Sequence, residues 1–398
     1  MQSNNGITAV SGLGKFVLSF IGTIFKDAGI TNGQVLTRGH DWRHEYFESF
    51  RSYPVVMRGR LDGMDASREV DCDWIDSTYA ADDAVQWKNW IDLHRSNELE
   101  RIMSNTAERG FDIAADFDKP AKWPNKIAPA THVGRFLVTL RARMEDGLPA
   151  VPYYPLELGE NNAASFLEAF KALLSNWATA SSDWAMFHDD LLEYLEAGGV
   201  HQTLVDQIVP DFVRNLKDYP HLPGVYERYD TNPMAVVTEP YREWVIEGSP
   251  WIDLPGVVEF TDDPTPYTRR KLGLLNLPDV LKVAWGLKKG WDLEKTFKWE
   301  AFADDDCRAW LDRIVAEEIS PAIADDIPGE AETYWAAVSD RYRSKAIPYT
   351  LAKVYGDPEV FATKIDQRAG FVAREYRAKV GGSPVELQIL IDSVGAPQ

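Results

Sequence analysis

Three polar side chains stand among leucines in the segment Asp262 to Leu281 (DDPTPYTRRKLGLLNLPDVL): Lys271, Asn276 and Asp279. At about 100° per residue along a helix, Asn276 and Asp279 fall roughly 60° apart and Lys271 and Asp279 roughly 80° apart, so one broad face can hold all three. An ammonium set against apolar surface has its pKa lowered and can serve as a general acid or base. A neighbouring amide can hold a carbonyl or alkoxide oxygen without adding charge. A carboxylate beside the lysine raises its pKa and favours the protonated form, which donates to a nascent alkoxide. Such a step calls for no metal. The same three residues have a structural reading: a surface lysine, an N-cap asparagine for a helix starting near Leu277, and an aspartate favoured by the helix dipole. Spacing alone favours that second reading, and Pro278 is expected to break or restart the helix.

A second pattern lies near the N-terminus. Gly6 to Val10 (GITAV) reads as a buried strand, Ser11-Gly12-Leu13-Gly14-Lys15-Phe16 as a turn, and Phe16 to Phe25 as an apolar helix, with Gln34 to Thr37 the next strand. Strand, glycine turn, helix and strand open a dinucleotide-binding unit. Glycines let the backbone approach a pyrophosphate, and the helix N-terminus offers it unpaired N–H groups. The third glycine of the fingerprint is absent, since Val17 occupies its position, so an ordinary tight turn is the alternative. Arg38 follows the second strand and could take the 2′-phosphate of NADP, although Asp41 is close. Arg101 to Thr106 reads as a short strand. Its polar end, Ser104, Asn105 and Thr106, is placed to neighbour a cofactor or simply to form a turn.

These groups must be positioned by a large fold. Helices are expected over 83–101, 130–145, 163–177 and 183–197, a strand at Val55 to Gly59, and extended chain from Pro149 to Pro155. Residues 200–230 read as irregular or sheet, and Trp244 to Val258 as a loop. From Tyr267 the pattern is helical almost to the end. The chain is thus read as an α/β Rossmann-type domain over 1–262 followed by a mainly α-helical domain over 263–398. With 398 residues it can bury a large core without disulfides, and Cys72 and Cys307 stand in no metal-binding or disulfide pattern. That usage points to a reducing compartment, and a cytoplasmic location is expected. Acidic residues outnumber basic ones 62 to 42, giving a formal charge of −20. Nucleic acid and anionic membranes are therefore disfavoured partners. The ten apolar residues from Phe16 to Phe25 are too few to span a bilayer and fit a buried helix better than a signal peptide.

Several segments, in order, resemble the polyol-specific long-chain dehydrogenase/reductase family, which includes mannitol dehydrogenases, fructuronate reductases and tagaturonate reductases (altronate oxidoreductases). Ser11 to Phe16 is similar to the family's F-G-x-G-x-F turn. Met103-Ser104-Asn105-Thr106-Ala107-Glu108-Arg109-Gly110 resembles S-N-T-T-E-x-G of the tagaturonate branch. Thr203 to Pro210 resembles T-L-V-D-R-I-V-P. Glu239 to Glu247, followed by Pro266-Tyr267 and Lys271 to Asn276, resembles E-P-F-R-Q-W-V-I-E followed by P-Y-x-x-x-K-L-x-x-L-N-G-x-H. Glu317 to Pro321 suits E-E-x-x-P.

The resemblance implies a Rossmann-type domain and a helical domain with the active site between them. It implies Lys271 as catalytic lysine, Asn276 as carbonyl-polarising amide, and Val205 and Asp206 in the substrate site. Glu157-Leu158, before Asn161-Asn162, resembles the uronate branch's C-E-L-I-x-x-N-G. Lys364 and Arg368 resemble its late K-x-x-x-R pair, suited to a carboxylate or phosphate; the alternative is a solvated i,i+4 pair.

Four positions depart from the family pattern: Asp279 replaces the histidine, Leu277 and Pro278 replace Gly and Ser, and Gln207 replaces the arginine after the V-D pair. The expectation is an NAD-dependent reductase, with NADP open, acting on a keto sugar acid or related polyol as a monomer or small homo-oligomer. Lys271 protonates the alkoxide, Asn276 polarises the carbonyl and Asp279 orients Lys271. A sugar-acid epimerase with retained cofactor and a non-catalytic sugar-binding relative are the alternatives.

Overall fold

The computed structural model describes residues 6–106, 110–122, 126–159, 161–215, 232–323 and 331–395. Among them lie eleven strands: β1 (Ile7–Ser11), β2 (Gly33–Thr37), β3 (Tyr53–Leu61), β4 (Met64–Cys72), β5 (Ile75–Ala80), β6 (Leu99–Ser104), β7 (Tyr153–Pro155), β8 (Thr203–Asp206), β9 (Val236–Thr238), β10 (Glu243–Glu247) and β11 (Val258–Thr261). Five of them form a parallel sheet in the order β5-β2-β1-β6-β7. Its central strands are buried along their whole length, as a sheet covered on both faces requires. The order reverses at β1, which places a crevice at the carboxyl ends of β1 and β6.

Two three-stranded sheets, β4-β3-β9 and β11-β10-β8, flank this frame. β10 corrects the expectation of a loop from Trp244 to Val258. Trp244, Val245 and Ile246 are fully buried because β10 is the inner strand of its sheet, and the Pro250, Pro255 and Gly256 signals belong to the connection between β10 and β11. After Thr261 the described residues are helical apart from connections and one isolated bridge, Phe297 to Thr350. The helix read over 183–197 is two, Ser182–Ala185 and His188–Gly198.

The apolar segment after the glycine turn is a buried helix, Val17–Ile21 in π form and then Gly22–Ala28, packed under Trp74 and Trp244. A second core joins the C-terminal helices through Leu274, Leu281, Ile319, Phe361 and Phe371. No helix among the described residues is long and apolar enough to cross a membrane. Both cysteines are buried and unpaired, and burial pushes each thiol up to about 12.

Candidate active site

Between the sheet ends and the C-terminal helices lies a cavity of about 910 Å³. Lys271 forms part of its wall at the end of the helix Thr265–Lys271 and is only 6% exposed. Its ammonium donates to the Val205 carbonyl at 2.5 Å. Burial lowers the Lys271 pKa, and the nearby Asp206 carboxylate opposes that shift.

Asn276 lines the same cavity because the helix does not keep α periodicity. Leu272–Asn276 is a π turn, closed by the Leu277 N–H on the Leu272 carbonyl. In an i→i+5 turn, residues five apart stack on one face, so Lys271 and Asn276 point the same way. Two contacts hold the turn. The Tyr342 hydroxyl donates to the Leu275 carbonyl, and an Arg368 N–H donates to the Asn276 carbonyl at 3.3 Å. The π turn also accommodates Pro278: the helix restarts as Leu277–Lys289, with the proline in a first turn that needs no N–H.

Asp279 is a correction. Its carboxylate takes the Lys282 ammonium at 2.7 Å and the Lys298 ammonium at 2.5 Å, all three buried. It is not on the cavity wall and is not among the charges acting on Lys271. A buried carboxylate goes to the nearest cations, and these stand one turn further on and on the neighbouring helix Lys298–Ala303. The pair holds the Asp279 carboxyl at about 2 despite burial.

Ahead of Glu243, the carboxylate that acts most on Lys271 is Asp206. It is enclosed rather than lining the cavity: Arg341 donates to both of its oxygens, at 2.9 and 3.1 Å, and the Tyr334 hydroxyl lies 3.3 Å away. Arg341 also grips Glu239. The adjoining Val205 does line the cavity. Arg341 carries no signal in the sequence, since an Arg within a helix with charged neighbours reads as solvated surface.

The glycine turn supplies the other side of the crevice. Gly12 has φ +111°, and a Cβ there would lie 2.3 Å from the Asn105 carbonyl oxygen, so only glycine fits. At Gly14 a Cβ would meet nothing within 4 Å, and the helix begins at once, with the Leu18 N–H on the Gly14 carbonyl. A turn pressed against β6 and open above a helix N-terminus fits a pyrophosphate. Lys15 does not face that opening; its ammonium donates to the Pro210 carbonyl. Phe16 stacks on Phe20 at 5.0 Å. Arg38 is exposed just past β2. Asp41 caps the helix Trp42–Ser49 and pairs with Arg43, whose guanidinium reaches the Leu13 carbonyl at 2.7 Å.

At the end of β6, Asn105 donates to the Leu156 carbonyl, while Ser104 and Thr106 turn to the Glu157 carboxylate. Glu157 lines the cavity, which joins the crevice to Lys271. Ala107, Glu108 and Arg109 of the same motif lie outside the described residues.

On the far wall are Lys364, Arg368 and Arg374, the last missed from the sequence. Arg368 lies within the π turn Asp366–Gly370, and at 100° per residue Arg374, six positions on, falls about 120° from it, so the sequence does not show that both line one cavity. The Lys364 ammonium donates to the Val354 carbonyl at 2.7 Å. Asn162 is another lining residue to which no role was given; its amide ties the Pro155, Glu157 and Thr203 carbonyls together.

A parallel sheet with a glycine turn, facing a helical half that carries a buried lysine, defines a two-part dehydrogenase fold. No family model matches the chain. It is 26% identical over 231 residues to the altronate oxidoreductase of Bacillus subtilis, covering 56% of this chain and 45% of that protein. It is 30% identical over 205 residues to that of Phocaeicola vulgatus (48% and 39%), and 30% identical over 159 residues to the D-mannonate oxidoreductase of Escherichia coli (38% and 29%). The chain thus spans about half the length or less of these curated relatives.

The fold is similar to that of Pseudomonas fluorescens mannitol 2-dehydrogenase, solved with NAD and D-mannitol, with a TM-score of 0.76 at 20% identity over 98% of this chain and 78% of that one. A D-sorbitol dehydrogenase gives a TM-score of 0.70 at 15% identity, over 95% and 78%. In sequence the chain is thus similar to altronate and D-mannonate oxidoreductases, and in fold to a mannitol 2-dehydrogenase and a sorbitol dehydrogenase.

Proposed function

We propose that this chain is an NAD-dependent oxidoreductase that interconverts a keto sugar acid and its hydroxy form. Residues 1–262 hold the dinucleotide and residues 263–398 supply the proton donor. The observation that carries the reading is Lys271: an ammonium buried in the wall of a cavity that is also lined by Glu157, which follows β7 of the parallel sheet. Gly12, Gly14, Ser104, Asn105 and Thr106 stand where such a sheet takes a dinucleotide, and when bound the nicotinamide supplies or accepts the hydride. Arg38 stands beyond β2 at the adenosine end.

The remaining roles follow from chemistry. Lys271 delivers its proton to the carbonyl oxygen as that oxygen gains charge, and takes it back in oxidation. Burial lowers the lysine pKa, and the Asp206 carboxylate works against that shift by favouring the charged form. Asn276, stacked one π turn away, donates to the same oxygen. Arg368, with Lys364 and Arg374 beside it, suits the carboxylate of an acid substrate, for which a guanidinium offers paired N–H groups. Val205 shapes the wall, and Asp206 acts through charge.

The test is to mix the protein with NADH or NADPH and a panel of keto-uronates, ketoses and ketose phosphates. Turnover is expected with a keto-uronate and NADH. No turnover on any member, together with no dinucleotide binding by calorimetry, contradicts the reading.

A further inference from the structure

Glu157 sits at the end of a hydrogen-bonded chain that the roles above leave unused. The His132 Nε2 is 3.0 Å from the Tyr153 hydroxyl, that hydroxyl is 2.5 Å from the Ser104 Oγ, and the Ser104 Oγ is 2.8 and 2.9 Å from the two Glu157 oxygens. The direction of the hydrogens follows from what each group can do. Burial lowers the His132 pKa to about 3, so the ring is neutral with one N–H. Its Nδ1 has no partner among the described residues. A bare lone pair there is cheaper than a buried orphan N–H, so the hydrogen is on Nε2 and goes to Tyr153. Tyr153 then donates to Ser104, and Ser104 to Glu157. Every hydrogen in the chain points at one carboxylate, and each bond polarises the next.

The load on that carboxylate is uneven. Oε1 accepts from the Thr106 N–H at 3.0 Å and the Thr106 hydroxyl at 2.9 Å, which fills its two accepting sites. The single Ser104 hydrogen is then left to Oε2, at 2.9 Å, where no second side-chain donor stands among the described residues. An ionised carboxylate oxygen accepts at two sites and donates at none. The arrangement therefore holds an anion in a buried place and leaves acceptor capacity on Oε2, in a residue of the cavity wall. Burial raises the Glu157 pKa, and the Ser104 and Thr106 donors work against that rise.

We propose that Glu157 accepts a hydrogen bond from the amide N–H of the nicotinamide carboxamide, and so anchors the reactive end of the cofactor rather than the sugar. This rests on the dinucleotide reading above. The placement argues for it: Glu157 follows β7 and is tied to the end of β6, on the side of the strand-order reversal away from Gly12, Gly14 and Arg38. In a sheet of this order the two ends of a dinucleotide lie over opposite sides of the reversal. An acceptor-only group also fixes which way the carboxamide is turned, since its N–H end is attracted and its oxygen repelled.

The experiment compares calorimetric Kd values for NADH and for its reduced acetylpyridine analogue, in which a methyl ketone replaces the amide. Wild type should bind NADH at least about tenfold more tightly, as expected for a hydrogen bond to a charged group. In E157Q that ratio should fall to near one, because the Gln oxygen is drawn to Thr106 and its NH2 faces the cavity. ADP-ribose, which lacks the ring, should bind E157Q as it binds wild type. A wild-type ratio near one, or a ratio that survives in E157Q, overturns the assignment. So does a surviving ratio accompanied by a raised KM for a keto-uronate, which would place the carboxylate on a sugar hydroxyl. If E157Q fails to bind ADP-ribose, E157D is measured in the same way, and its ratio must also collapse. Wild type binding neither NADH nor ADP-ribose is a separate result that defeats the dinucleotide reading itself.

Discussion

Lys271 and Asp279 are both buried ionisable groups about two turns apart on one helical run, and their surroundings give them opposite tasks. Lys271 keeps a single backbone carbonyl as acceptor and opens on a cavity, which suits a group that exchanges a proton. Asp279 is clamped between two ammonium groups and opens on nothing. Asp279→Asn leaves Lys282 and Lys298 facing each other across an amide, so it should lower unfolding stability by about 3–5 kcal/mol in a denaturant titration at neutral pH. The sign of the pH effect follows from the depressed carboxyl. Its stabilisation is present above the ordinary value of 3.8 and is lost as pH falls towards about 2. The stability gap between wild type and the variant should therefore narrow over that range, and a gap that stays constant would count against the clamp. Lys271, Asn276 and the glycine turn were legible as chemistry from residue type. The partner of Asp279 was not, because Lys298 lies nineteen positions away and nothing in the sequence shows which helix it joins.

The elements that carry the site are π turns as much as α-helices. Leu272–Asn276 and Asp366–Gly370 both line the cavity and are bonded to each other through Arg368 and Asn276. Reading the segment at 100° per residue places Lys271 and Asn276 about 140° apart, at opposite edges of one broad face. The π turn brings them together, and no residue preference announces it. The parallel strands were legible because continuous apolar runs such as GITAV leave few other options. β10 was not, because its proline and glycine neighbours hide a five-residue strand. Inserting one residue into Leu272–Asn276 sets Asn276 six positions after Lys271, about 120° away around an α-helix. Such a variant should lose at least about 100-fold in kcat, as a misplaced catalytic group does, while its NADH Kd stays at the wild-type value. Retained kcat would show that the π turn does not align the pair.

At the scale of the molecule, two halves meet at one cavity and bring different things to it. The sheet half presents Glu157, Asn162, Thr203 and Val205. The helical half presents Lys271, Asn276 and the basic segment from Lys364 to Arg374. The chain carries a formal −20, yet the charged residues lining the cavity are evenly matched: Lys271, Lys364, Arg368 and Arg374 against Asp112, Glu157, Glu359 and Asp366. Local balance, not net charge, decides whether an acid substrate can enter. The division of labour predicts that dinucleotide affinity and proton delivery can be separated by changing one side chain. The most direct measurement is Lys271→Ala: kcat for NADH-dependent reduction of a keto-uronate, with the NADH Kd taken by calorimetry on the same sample. The account predicts a fall of about 10²–10⁴ in kcat with the Kd unchanged. Undiminished kcat in that variant would contradict it.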